Sequence, residues 1–254
     1  MDYNSKNHFW IRINVNKFIT LALTGLSFIF SSSVLAEGFN DNYLQVGYST
    51  NDYKHSDKIT HVSGSAELGD NYLISGSYDY ETGDWSDPGE YETQTAKKMS
   101  IGIEGYFPVS SSTDISSSIG LENWDITSTT KVLATSVTTN KAPFEGKFTH
   151  IGIGFRNLTS NNVEISFKNT WTKYKNPTVY YYYKPSIKIR HISANGIESS
   201  IDYSKTNEIL NLRQSRLELR LIKHINESFS IGGRLSIVKD PKWTETGIFV
   251  RRSF

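Results

Sequence analysis

The chain has 254 residues, with 27 basic and 26 acidic side chains, a formal charge of +1 and no cysteine. Near-neutral charge argues against nucleic acid as a partner, because phosphate neutralisation favours a basic surface. Without thiols the chain has no disulfide, no thiolate metal ligand, no cysteine nucleophile and no site for lipoprotein acylation.

The first predicted element is a leader. MDYNSKNHFWIRINVNK places Lys6, Arg12 and Lys17 ahead of the uncharged run from Phe18 to Phe30, and SSS and Val34-Leu35-Ala36 follow. A basic flank, an apolar stretch too short to span a bilayer and a small-residue site form the order of a secretory signal peptide. The expectation is export through the Sec pathway, cleavage after Ala36 and one mature domain over residues 37–254.

From Asn42 onward the side chains alternate with period two, the signature of strands rather than helices. Met99, Ile101, Ile103 and Phe107 oppose Ser100, Gly102, Glu104 and Tyr106; Leu217, Leu219 and Leu221 oppose Arg216, Glu218 and Arg220. Twelve strands are predicted, at about 42–51, 58–68, 72–81, 97–107, 113–127, 146–157, 162–173, 179–192, 196–205, 215–224, 228–238 and 244–254. Eight or ten remain open if the weakly alternating stretch from Thr113 to Thr129 is loop. Five linkers of one parity are compact: LGDN, PVSSS, NLTSN, SANG and HINES. Two of the other parity, residues 81–96 and 127–146, are long and polar and read as loops.

Strands of about ten residues suit a tilted membrane crossing better than a soluble sandwich. Trp171, Tyr174, Tyr180 to Tyr183, Trp243, Tyr106 and Phe107 cluster near predicted strand ends, where a membrane barrel carries its aromatic girdles. The last strand, TETGIFVRRSF, sets Phe254, Arg252, Val250 and Ile248 on one face against Ser253, Arg251, Phe249 and Gly247 on the other.

A leader, repeated amphipathic strands and a closing strand ending in an aromatic residue resemble the outer-membrane β-barrel proteins of Gram-negative bacteria. The resemblance implies an all-β antiparallel barrel integral to the outer membrane, among outer-membrane lipid and lipopolysaccharide. It also implies that Phe254, Val250 and Ile248 form a signal read by the barrel-assembly machinery. Arg252 departs from the apolar residue usual at its position.

With the apolar faces toward lipid, the candidate pore-lining residues are Lys184, Lys188, Arg190, Arg216, Arg220, Arg234, Arg251, Glu104, Glu198 and Asp202. The basic members gather in the second half of the chain and would face a more acidic first half across the lumen. Three functions fit such an interior. The first is a narrow pore for small polar or anionic solutes, whose cationic wall attracts them. The second is a non-conducting structural or adhesion barrel with every charge paired. The third is a lipid acyl hydrolase: His61 and Ser63, or His191, Ser193 and Asn195, resemble the His and Ser two apart, with an Asn nearby, of the outer-membrane phospholipases, in which the base must reach the hydroxyl and be oriented by a third group. The acidic stretch Asp84, Asp87, Glu90 and Glu92 lacks the spacing of a calcium loop. No cofactor or metal motif is present in the sequence.

Overall fold

The computed structural model describes residues 41–52, 57–160, 162–176, 178–206, 214–240 and 242–254. The predicted leader lies outside the described residues. The strands are β1 (Tyr43–Asn51), β2 (Lys58–Leu68), β3 (Tyr72–Asp87), β4 (Glu90–Pro108), β5 (Thr113–Val132), β6 (Val137–Asn140), β7 (Phe144–Ser160), β8 (Val163–Asn176), β9 (Thr178–Ile192), β10 (Ile197–Thr206), β11 (Gln214–His224), β12 (Phe229–Lys239) and β13 (Trp243–Ser253).

Each strand but β6 pairs antiparallel with two neighbours in the ring, β5 pairing with β6 as well, and the ring closes where β1 meets β13, with Tyr43 opposite Ser253 and Val46 opposite Val250. The result is a closed barrel of twelve strands, because β6 only extends the free end of β5. Closure leaves the twelve without an unpaired edge, which hydrocarbon would not tolerate. Thr113 to Thr129 is strand, so the eight- and ten-strand alternatives fall away.

Most of what the barrel buries among the described residues is polar or charged. Glu164, Arg190, Glu198, Ser236, Glu245 and Arg251 are all at most 5% exposed, while Ile101, Ile119, Leu121, Ile151, Ile153, Leu221 and Ile248 lie between 54% and 72%. In water that outer band would be an apolar patch far larger than monomeric proteins carry. In a sandwich the same residues would meet across two sheets. Only a lipid-facing exterior reconciles the alternation with the burial.

All five compact turns sit at one end, called here the turn end. The other end differs from expectation. Most of the stretches read as long loops is strand: β3 and β4 stay paired to Asp87 and Glu90, and β4 and β5 to Glu90 and Val132, with turns left at 88–89 and 133–136. Thr, Tyr and Trp favour extended backbone, and Gly89, at φ 100°, makes the tight reversal after Pro88 that lets pairing run to the tip. These strands of 16 to 20 residues exceed a bilayer crossing, so their far ends form a ribbon beyond the rim.

Candidate functional site

Inward-facing side chains of non-adjacent strands meet only by reaching across the interior, and such contacts locate the lumen. Lys168 of β8 reaches Glu104 of β4 at 2.9 Å, and Arg251 of β13 approaches Glu198 of β10 at 3.7 Å. By these contacts and by strand parity, all ten sequence-predicted residues point inward.

They form two networks. Toward the turn end, Arg190 is buried and holds three carboxylates: Asp41 at 3.0 Å, Glu198 at 3.3 Å and Glu164 at 3.4 Å. Arg156 bonds Asp114 at 2.8 Å, and Arg251 lies over the Tyr43 ring and donates to Gln45. Nearer the loops, Arg216 bonds Glu218 at 2.9 Å and approaches Glu245 at 3.6 Å. Arg220 also pairs with Glu218, and Arg234 pairs with Glu245.

Two predicted cations stand apart. Neither Lys184 nor Lys188 of β9 forms an ion pair among the described residues, although Asp202 is the strand partner directly opposite Lys188. Lys188 lines a cavity of about 260 Å³ together with Lys168, Glu104, Tyr106, Asp202 and Ser186. Lys184 lies four residues toward the loop end on the same face and is exposed to the lumen.

The expected division into a basic and an acidic arc holds only in part. Glu104 and Lys168 do face each other across the interior, but Glu164, Glu198, Glu218 and Glu245 neutralise the arginines on their own side. Sequence reading missed Glu245, although its parity with Arg251 was visible. Asp41 precedes the first strand, so no alternation could have placed it.

His61 does not engage Ser63. Its Nδ1 lies 2.6 Å from Asp79 and its Nε2 lies 2.7 Å from Ser49 on the neighbouring strand. That is the contact order of a Ser-His-Asp triad, but Ser49 is 1% exposed, donates to Glu245 at 2.7 Å and lies against Arg234. A hydroxyl covered by a guanidinium and bonded to a carboxylate is not placed to attack an acyl group. At the second candidate, Ser193 Oγ accepts from the Ile197 backbone N–H in a turn, and His191 lies on the outward parity of β9. In the acidic stretch, Glu92 pairs with Lys141 at 2.7 Å and Asp84 accepts from Tyr91.

No protein-family model and no curated protein matches the sequence. Solved structures do match in fold. The KdgM porin in complex with disordered oligogalacturonate superposes with a TM-score of 0.60 at 8% identity, over 84% of this chain and 99% of that one. The NanC porin gives 0.57 at 5% identity, over 83% and 100%. The translocator domain of the autotransporter NalP from Neisseria meningitidis gives 0.58 at 9% identity, over 96% of each chain. The fold is that of an outer-membrane porin-type β-barrel. At such identities the likeness is one of architecture, and residue roles in this barrel rest on its own geometry.

Proposed function

We propose that this barrel is a narrow pore of the outer membrane for small anionic solutes. The observation that carries the reading is the pair Lys184 and Lys188, two cations without ion-pair partners in a lumen whose arginines are matched by carboxylates. A charge held inside a low-dielectric wall and left unmatched attracts mobile counter-ions, and two on one strand give a solute successive stations. The matched arginines set the bore and hold the wall. The oligogalacturonate named with KdgM is a chain of sugar acids, and a carboxylated saccharide is the kind of solute such stations would take.

The same reading has the chain exported through the Sec pathway, with residues 1–36 removed. The barrel-assembly machinery would then recognise Phe254, Val250 and Ile248 and insert the barrel among outer-membrane lipid and lipopolysaccharide. Ile248 and Val250 lie on the outer face, 72% and 45% exposed, open to a docking partner during assembly.

A second reading is favoured by the Arg190 cluster and the projecting ribbon of β3 to β6: a barrel plugged by its own ion pairs that acts through its ends. Ion flux separates the two. Replacing Lys184 and Lys188 by Gln should remove anion preference from a pore and change nothing in a plugged barrel.

A further inference from the structure

On the lipid-facing side of β7 to β9, toward the loop end, three lysines cluster. Lys147 sits directly opposite Lys175 in the β7–β8 register, and Lys173 is opposite Thr149 and Tyr181. All three are exposed and share the outward parity of Ile151 and Trp171, and none forms an ion pair among the described residues. Like charges on directly opposed strand positions repel, so the sheet alone gives no reason to place Lys147 against Lys175. The outward acids nearby are Glu145, two residues from Lys147, and Asp125, which lies opposite both Glu145 and Lys97. They leave the β8 lysines unmatched.

Immediately below this patch lies an open groove of about 670 Å³ lined by Thr149, Ile151, Trp171, Lys173, Tyr181 and Tyr183. Tyr181 is 64% exposed, Trp171 49% and Tyr183 40%. Aromatic rings at this height mark the boundary between hydrocarbon and headgroups. Lys173 stands at the upper edge of the groove, level with Tyr181, and Lys147 and Lys175 stand one strand repeat farther toward the loop end, at headgroup level. The groove is thus apolar below and cationic above, in the order in which a lipid presents its chain and its headgroup.

We propose that this surface is a binding site for a phosphorylated lipid of the outer leaflet, an acyl chain lying in the Trp171–Tyr183 groove and its headgroup phosphate bridging Lys147, Lys173 and Lys175. The phosphate relieves the repulsion between the opposed lysines, which a neutral headgroup cannot do. The site belongs to the outside of the barrel and is separate from the lumen. It rests on the membrane-barrel reading but not on conduction.

The test is native mass spectrometry of the refolded mature chain, titrated in detergent with a diphosphorylated, acylated glucosamine disaccharide, with its dephosphorylated form and with phosphatidylglycerol. The wild type should retain the diphosphorylated lipid in preference to both. Each lysine near an anionic headgroup contributes roughly fivefold in affinity, so the K147Q/K173Q/K175Q variant should lose on the order of a hundredfold. Its heat-modifiable mobility and insertion into liposomes should match the wild type, showing that the barrel is folded. A Tyr181→Ala variant, which opens the groove, should lower retention of both glucosamine lipids alike. Equal retention of phosphorylated and dephosphorylated lipid, or equal retention by wild type and triple variant, would overturn the site. So would displacement by millimolar inorganic phosphate alone, which would make it a free-anion site. A chain that never inserts into liposomes would instead overturn the barrel reading beneath it.

Discussion

Lys168 of β8 and Glu104 of β4 meet at 2.9 Å although β5 and β7 stand between their strands. The contact bridges a wall of the lumen, beside the unpaired Lys188. Removing one partner alters the charge that a passing ion meets. Glu104→Gln frees Lys168 and should raise the anion-to-cation permeability ratio, and Lys168→Gln should lower it. The change expected is about fivefold, the worth of one unit charge at roughly 4 Å in water. Reversal potentials under a salt gradient measure both, and shifts of the same sign in the two variants would refute the assignment.

Arg190 is the reverse case, a cation enclosed by Asp41, Glu164 and Glu198. Arg190→Met leaves three carboxylates together with no countercharge from that position. Breaking a buried pair costs about 3–5 kcal/mol. Urea unfolding of the refolded barrel, followed by tryptophan fluorescence, should show a loss of this size. The Lys184→Gln barrel, which breaks no ion pair, should stay within about 0.5 kcal/mol of the wild type.

Gly154 faces the lumen where β7 passes close to β8. A Cβ there would lie 2.3 Å from the Phe167 carbonyl oxygen and 3.0 Å from Ser116 Oγ, and a backbone atom cannot step aside. Gly154→Ala should cost about 1–3 kcal/mol, the range for overpacking. At Gly76 the added methyl meets only the Ser100 carbonyl oxygen, at 3.4 Å, so Gly76→Ala serves as the tolerated control. Equal unfolding midpoints for the two variants would contradict the packing argument.

Most of the fold was legible because a membrane barrel writes its architecture as parity. Every residue of a strand goes to lipid or to lumen, so Met99, Ile101 and Ile103 announced their neighbours' direction before any coordinates. The compact turns, all of one parity, implied an even strand number, and the strand of Thr113 to Val132 settles it at twelve. The ribbon of β3 to β6 was not legible, because beyond the membrane both faces meet water and the alternation that marks a strand disappears. Ser128 to Thr130 therefore reads as loop in sequence and is strand in the structure. In the lumen, sequence placed the charges but not their pairing. Whether Arg216 or Lys184 keeps its charge available depends on strand register across the ring, which puts Glu218 and Glu245 near the first and no carboxylate within ion-pair reach of the second.

Phe254 follows β13 directly, and the proposed role in assembly separates from stability. Phe254→Ser should reduce the amount of folded barrel in the outer membrane of cells while leaving the urea midpoint of the refolded protein unchanged. Cell fractionation with heat-modifiable mobility reads the first quantity. Unaltered insertion in cells would remove Phe254 from the assembly signal.

The most direct test of the pore is single-channel recording from the refolded mature chain in a planar bilayer, under a salt gradient. The account predicts discrete conductance steps with anion preference, and loss of that preference when Lys184 and Lys188 are both replaced by Gln. A silent bilayer containing verified folded barrel, or a preference that survives the double replacement, would contradict it.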